Sequence, residues 1–90
     1  MATEVTRREH DYEITVDGEH AGLAAFEEHP GVVVFTHTEI DDAFEGKGIG
    51  SQLAKAALDD VRERGLKVRP LCPFIKAWID KHPDYEDLVA

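Results

Sequence analysis

Three short stretches of the 90-residue sequence carry side chains able to do chemistry. The first is His37-Thr38-Glu39, at the end of a run of β-branched and aromatic residues. His37 is a base that works near neutral pH without a large perturbation. Glu39, roughly 7 Å further along the same face of an extended chain, can attract a cationic amine or relay its proton through water. The second is Gly46-Lys47-Gly48-Ile49-Gly50-Ser51, with glycines at alternate positions ahead of an amphipathic stretch. Such a backbone curls closely enough to aim consecutive N–H groups at an anion, and the positive end of the following helix adds to the attraction. The third is Cys72-Pro73, a lone thiol at a helix start, where the helix dipole favours thiolate. It can act as a nucleophile or as an acid. Taken by themselves, the same residues also fit a solvated strand end, a glycine-rich helix cap and a packed core cysteine.

The glycine loop is not a Walker A motif, because Asp41 and Gly48 stand where that motif needs Gly and Ser or Thr. Nor is it a dinucleotide fingerprint, since Ser51 occupies the third glycine position and the chain is too short for a full dinucleotide domain. Five scattered histidines and one cysteine form no zinc pattern, so no metal is expected. The formal charge of −9 argues against nucleic acid as a partner. That charge is uneven: two basic residues face twelve acidic ones before Gly46, and eight face seven from Gly46 onward. With no long apolar run, no signal-peptide pattern and no possible internal disulfide, the chain is expected to be a single cytoplasmic domain away from membranes. Its polar start, residues 1–8, is expected to fray.

Strand and helix periodicities show what must position these groups. Tyr12, Ile14 and Val16 alternate with Asp11, Glu13 and Thr15 in a first strand, and Asp17-Gly18 makes a hairpin turn into a second strand over 19–28. After His29-Pro30-Gly31, the run from Val32 to Ile40 reads as a central strand, apolar on both faces at its start. Beyond the glycine loop, Ile49, Leu53, Ala57 and Val61 form a helical stripe that Gly65 stops. Leu66–Leu71 is a short strand, and Pro73 opens a helix in which Phe74, Trp78 and Ile79 read as core. The fold class is therefore α/β (α+β), in the order β-β-β-α-β-α: an antiparallel meander feeding a right-handed β-α-β crossover.

With these elements in place, the chain resembles the GNAT superfamily of acyl-CoA-dependent N-acetyltransferases. The superfamily's pyrophosphate loop, Gln/Arg-x-x-Gly-x-Gly/Ala, is matched at Gly48 and Gly50, with Glu45 at the position of the Gln or Arg. A minimal single-domain subfamily of about this length is similar at His37-Thr38-Glu39, at Gly46 to Leu53, at Leu71-Cys72-Pro73-Phe74 and at His82-Pro83. The resemblance implies acetyl-CoA as acyl donor, its pyrophosphate on the N–H groups of Gly46 to Ser51, with Glu45, Lys47, Gly48, Ile49 and Gly50 around it. The pantetheine arm would run between the splayed ends of two strands, along Thr38 and Ile40, with Pro73 also at the cofactor and Lys76 able to reach a CoA phosphate. The thioester would then meet His37, Glu39 and Cys72 as the catalytic candidates. Many members place a general-acid Tyr in the helix after this strand, and positions 73–82 hold none, so Cys72 is implied as its replacement or as an acetylated nucleophile. With only residues 1–8 before the first strand, the acceptor side should be open, suited to a protein side chain, a peptide terminus or a polyamine. The chain is expected as a monomer or a homodimer, and a homodimer could supply the missing wall. The competing reading is an acyl-CoA-binding or protein-interaction module without turnover.

Overall fold

The computed structural model describes residues 2–90. Five strands form one sheet in the order β1 (Thr3–Arg7), β2 (Asp11–Val16), β3 (Glu19–His29), β4 (Val32–Ile40) and β5 (Lys67–Pro70). The first four form an antiparallel meander, and β5 lies parallel to β4. The crossover between them is helix α1 (Ile49–Glu63), and helix α2 (Pro73–Asp80) follows β5. This mixed sheet with helices is the fold class read from the sequence, with one strand more at the start.

That added strand corrects the expectation of a frayed beginning. β1 pairs with β2 from Thr3↔Val16 to Arg7↔Tyr12. Only Val5 packs toward the core, so period-two alternation is nearly absent and the segment reads as polar. Side chains bind it to α1 instead: the Thr3 hydroxyl donates to Gln52 Oε1 at 2.8 Å, and Arg7 Nη1 donates to Asp60 Oδ2 at 2.9 Å. The residues after α2 are structured as well. Pro83–Leu88 forms a 3₁₀ helix, Leu88 is buried, and Val89 bridges Val68 on the outer edge of β5.

The turns follow the sequence chemistry. Asp17 and Gly18 both take positive φ, 51° and 83°, as a primed hairpin turn requires. The core lies on one side of the sheet. Tyr12, Ile14 and Val16 from β2, Ala24 and Phe26 from β3, and Val33 and Phe35 from β4 are buried beneath Leu53, Ala57, Leu58 and Val61 of α1. Ile75, Trp78 and Ile79 of α2 complete this layer. Among the described residues no helix covers the opposite face, and none is long and apolar enough to cross a membrane.

One local irregularity decides which side chains reach which face. Phe26 pairs with Phe35, whereas Ala25 pairs with His37, leaving Thr36 as an extra residue in β4. Such a bulge inverts the alternation beyond it. Before it the odd residues Val33 and Phe35 face the helices, and after it the even residues Thr38 and Ile40 do. His37 and Glu39 therefore point to the open face.

Candidate functional site

The site begins where two parallel strands separate. β4 and β5 pair from Val32↔Lys67 to Phe35↔Pro70. The N–H groups of Leu71 and Cys72 then both donate to the Phe35 carbonyl, at 3.0 and 2.9 Å, turning the chain out of the sheet and into α2. β4 continues to Ile40 with no strand on that edge among the described residues. Its backbone N–H and C=O groups are left for another extended molecule, as at any unpaired sheet edge.

At this fork the bulge sorts four candidate residues into two pairs. Thr38 Oγ1 and Cys72 Sγ lie 3.1 Å apart on the helix side, and either can donate. Cys72 is only 3% exposed. On the open face His37 Nε2 and Glu39 Oε1 are 3.5 Å apart, with side chains 61% and 65% exposed. The structure thus joins Cys72 to Thr38 and His37 to Glu39, with the backbone of β4 between the pairs.

Above the fork the glycine loop leads into α1. Gly46 and Gly48 have φ of 78° and 74°, which L side chains rarely adopt, and neither would contact anything through an added Cβ. The helix is capped by Gly48, which has no side chain to satisfy the first N–H groups, and its first turn holds no acid. These donors have no partner within the helix, and its dipole makes them attractive to an anion. A cleft of about 800 Å³ runs from this point to the end of β4. Thr38, Ile40, Glu45, Gly46, Gly48, Ile49, Gly50 and Ser51 line it. The room over the glycines, the uncapped helix start and the free edge of β4 fit a phosphate-bearing, extended thioester such as acetyl-CoA.

Other candidates from the sequence lie elsewhere. Lys47 is not on the cleft wall, and its Nζ sits 5.9 Å from the Phe44 ring centroid. Lys76 Nζ is 3.6 Å from Asp80 on the exposed side of α2, and Pro73 is outside the wall. Conversely, Phe74, Trp78, Lys81 and His82 line the cleft, though the sequence reading assigned them no site role. The Phe74 ring lies against Gly50, where an added Cβ would sit 2.7 Å from Cζ. Trp78 Nε1 donates to Ser51 Oγ at 2.9 Å. A helical stripe of Phe74, Ala77 and Trp78 is consistent with core, and its available signal was polarity: it is followed by two potential cations, Lys81 and His82, and its tryptophan carries a donor. A second hollow, of about 460 Å³, opens beside Glu39, Asp41, Asp42 and His20, with Ile40 shared between the two.

Related proteins share this architecture. The model of the GCN5-related N-acetyltransferase family matches residues 11–88. Human Protein NATD1 is 37% identical over 85 residues, spanning 92% of this chain and 75% of its own. Its counterpart in Danio rerio is 32% identical over 89 residues, spanning 94% and 81%. A GCN5-like protein of Staphylococcus aureus, solved by NMR, superposes with a TM-score of 0.75 at 25% identity, covering 97% of this chain and 87% of that one. The ribosomal-protein-S18-alanine N-acetyltransferase of Escherichia coli shares the fold, with a TM-score of 0.63 at 18% identity over 71% of this chain and 43% of its own. The strand fork, the glycine loop and the matched span, with the human relative at this identity, show that the chain belongs to the GCN5-related N-acetyltransferase family.

Proposed function

We propose that the protein transfers an acetyl group from acetyl-CoA to a primary amine. The observation that carries this reading is the fork itself: a free β4 edge opening beside an uncapped, glycine-started helix. In this reading the N–H groups of Ile49, Gly50 and Ser51 hold the pyrophosphate. The edge of β4 pairs with the amides of the pantetheine arm, which carries the thioester toward Thr38 and Cys72.

The two residue pairs then divide the work. On the open face Glu39 attracts the ammonium, and His37 or Glu39 takes its proton, directly or through water. The free amine attacks the thioester carbonyl, so a C–N bond forms and the C–S bond breaks. On the helix side the departing thiolate accepts a hydrogen bond and then a proton from Cys72, which the Thr38 hydroxyl orients; Cys72 regains a proton from water as the base on the open face releases the one it took from the amine. Because the pairs lie on opposite faces of β4, direct attack is favoured over passage through an acetylated Cys72. The uncovered face suits an acceptor that brings its own bulk: a protein side chain, a peptide terminus or a polyamine.

Calorimetry with acetyl-CoA is the first test, with micromolar binding expected; no binding at high micromolar concentration overturns the reading. Thiol release with a panel of amines should follow, falling at least about tenfold in Glu39→Gln and His37→Ala. Binding without turnover for every amine would leave a binding module. Mass spectrometry after incubation with acetyl-CoA should find Cys72 unmodified, and an acetyl adduct lost in Cys72→Ala would replace direct attack with a covalent route.

A further inference from the structure

Trp78 of α2 lies between the core and the cleft. It is buried, and its ring is held on two sides: His82 stacks on it at 3.8 Å with an interplanar angle of 12°, and Tyr85 meets it edge-on at 4.9 Å and 71°. His82 Nδ1 is also 2.7 Å from the Trp78 carbonyl, which can only accept, so the stacked ring is anchored to the same residue. The indole N–H therefore has a fixed direction, and it points to Ser51 Oγ at 2.9 Å.

The chemistry of the two groups fixes the polarity of that bond. Indole nitrogen donates and never accepts, whereas a hydroxyl has one hydrogen and two acceptor sites. Ser51 accepts from Trp78, so its own hydrogen remains to be given to something else. Ser51 is exposed, stands in the first turn of α1 and lines the cleft. Its hydroxyl thus adds a side-chain donor to the unpartnered N–H groups of the helix start.

We infer that Trp78 is a positioning residue, which holds Ser51 as a hydrogen-bond donor to the pyrophosphate of the bound acyl-CoA. The inference rests on the acyl-CoA reading above and adds to it a residue that acts on the pyrophosphate through Ser51. A core residue of the same shape would give the packing of α2 on α1 without the polarity.

The test is a double-substitution cycle read by calorimetry with CoA and with pantetheine, which lacks the pyrophosphate. Ser51→Ala removes the donor. Because the chain has a single tryptophan, growth with benzothienylalanine replaces the indole N–H by sulfur at position 78 alone and keeps the ring size; Trp78→Phe serves as a second variant. Each change should weaken CoA binding by about tenfold, the combination by no more than the larger single loss, and pantetheine binding should not move. Losses that multiply, or equal losses for pantetheine, would show that Trp78 acts through packing and overturn the assignment. Unchanged CoA binding in Ser51→Ala would also overturn it, leaving the acyl-CoA reading in place. A wild type that fails to bind CoA would remove both.

Discussion

Tyr12 lies at the middle of the covered sheet face, its ring 5.2 Å from that of Phe26 and 6.0 Å from that of Phe35. Its hydroxyl donates to Asp60 Oδ2 at 2.6 Å, and the same oxygen accepts from Arg7. Burial first, and the bond to Asp60 second, push the phenol up to about 12, whereas an unfolded tyrosine titrates near 10. A raised acid holds its proton more tightly when folded, so its contribution is complete below pH 10 and is lost as pH climbs toward 12. The loss should reach about 2 kcal/mol. Urea unfolding between pH 8 and pH 11.5 should show the wild type losing stability through that window. Tyr12→Phe should be less stable at pH 8, for want of the hydrogen bond, yet decline less steeply. Tyr85, raised by its hydrogen bond to Asp59 with burial adding to it, accounts for slope that remains. An equal decline in both proteins would mean that the alkaline loss lies elsewhere.

Among the elements, the end of β4 is held by the absence of a side chain on β3. A Cβ on Gly22 would lie 2.6 Å from the Glu39 carbonyl oxygen and 2.7 Å from Ile40 Cδ1. The isoleucine can rotate away, but the carbonyl moves only with the strand that carries Glu39. Gly22→Ala should therefore cost about 1–3 kcal/mol and shift the amide resonances of His37 to Ile40. Gly50→Ala is the contrast: the group in its way is the tip of the Phe74 ring, 40% exposed and free to swing, so stability should change little. Equal stability for Gly22→Ala and wild type would show that β3 and β4 do not approach this closely. The same strands mark what was legible in the sequence. The alternation of Tyr12, Ile14 and Val16, the hairpin turn, the glycine loop and the α1 stripe could be read because each is a local pattern. β1 could not, because an edge strand with one half-buried residue has almost no alternation to read. The bulge at Thr36 depends on register with β3, which is a tertiary property. It separates Cys72 from His37 and Glu39, which the sequence placed around one thioester without sides. Trp78 escaped for a related reason: a helical stripe looks the same whether it borders a core or a cleft.

Taken as a whole molecule, the chain spans 33 × 27 × 20 Å and carries a formal charge of −9. The acid-rich first half builds β1 to β4, and because β2 to β4 turn mainly apolar residues to the helices, their acids are left at the rim and on the open face. Asp11 and Glu13 there are paired with Arg8, whereas Glu39, Asp41 and Asp42 border the hollow beside the fork. The range of this field depends on salt. Screening acts over about 30 Å at 0.01 M ionic strength, close to the width of the molecule, but over about 8 Å at 0.15 M. On the proposed reaction, a cationic acceptor would be drawn in dilute salt by the net charge of the whole protein, and near physiological salt only by the carboxylates beside the fork. For the proposed reaction, kcat/KM with a lysine-bearing peptide at saturating acetyl-CoA should fall several-fold between these two conditions, through KM, with kcat nearly constant. A weakly basic amine that is uncharged at the assay pH should show no such dependence. Equal salt dependence for the two amines would place the effect on the acetyl-CoA side, and a flat response for both would mean that the acidic half plays no part in acceptor capture.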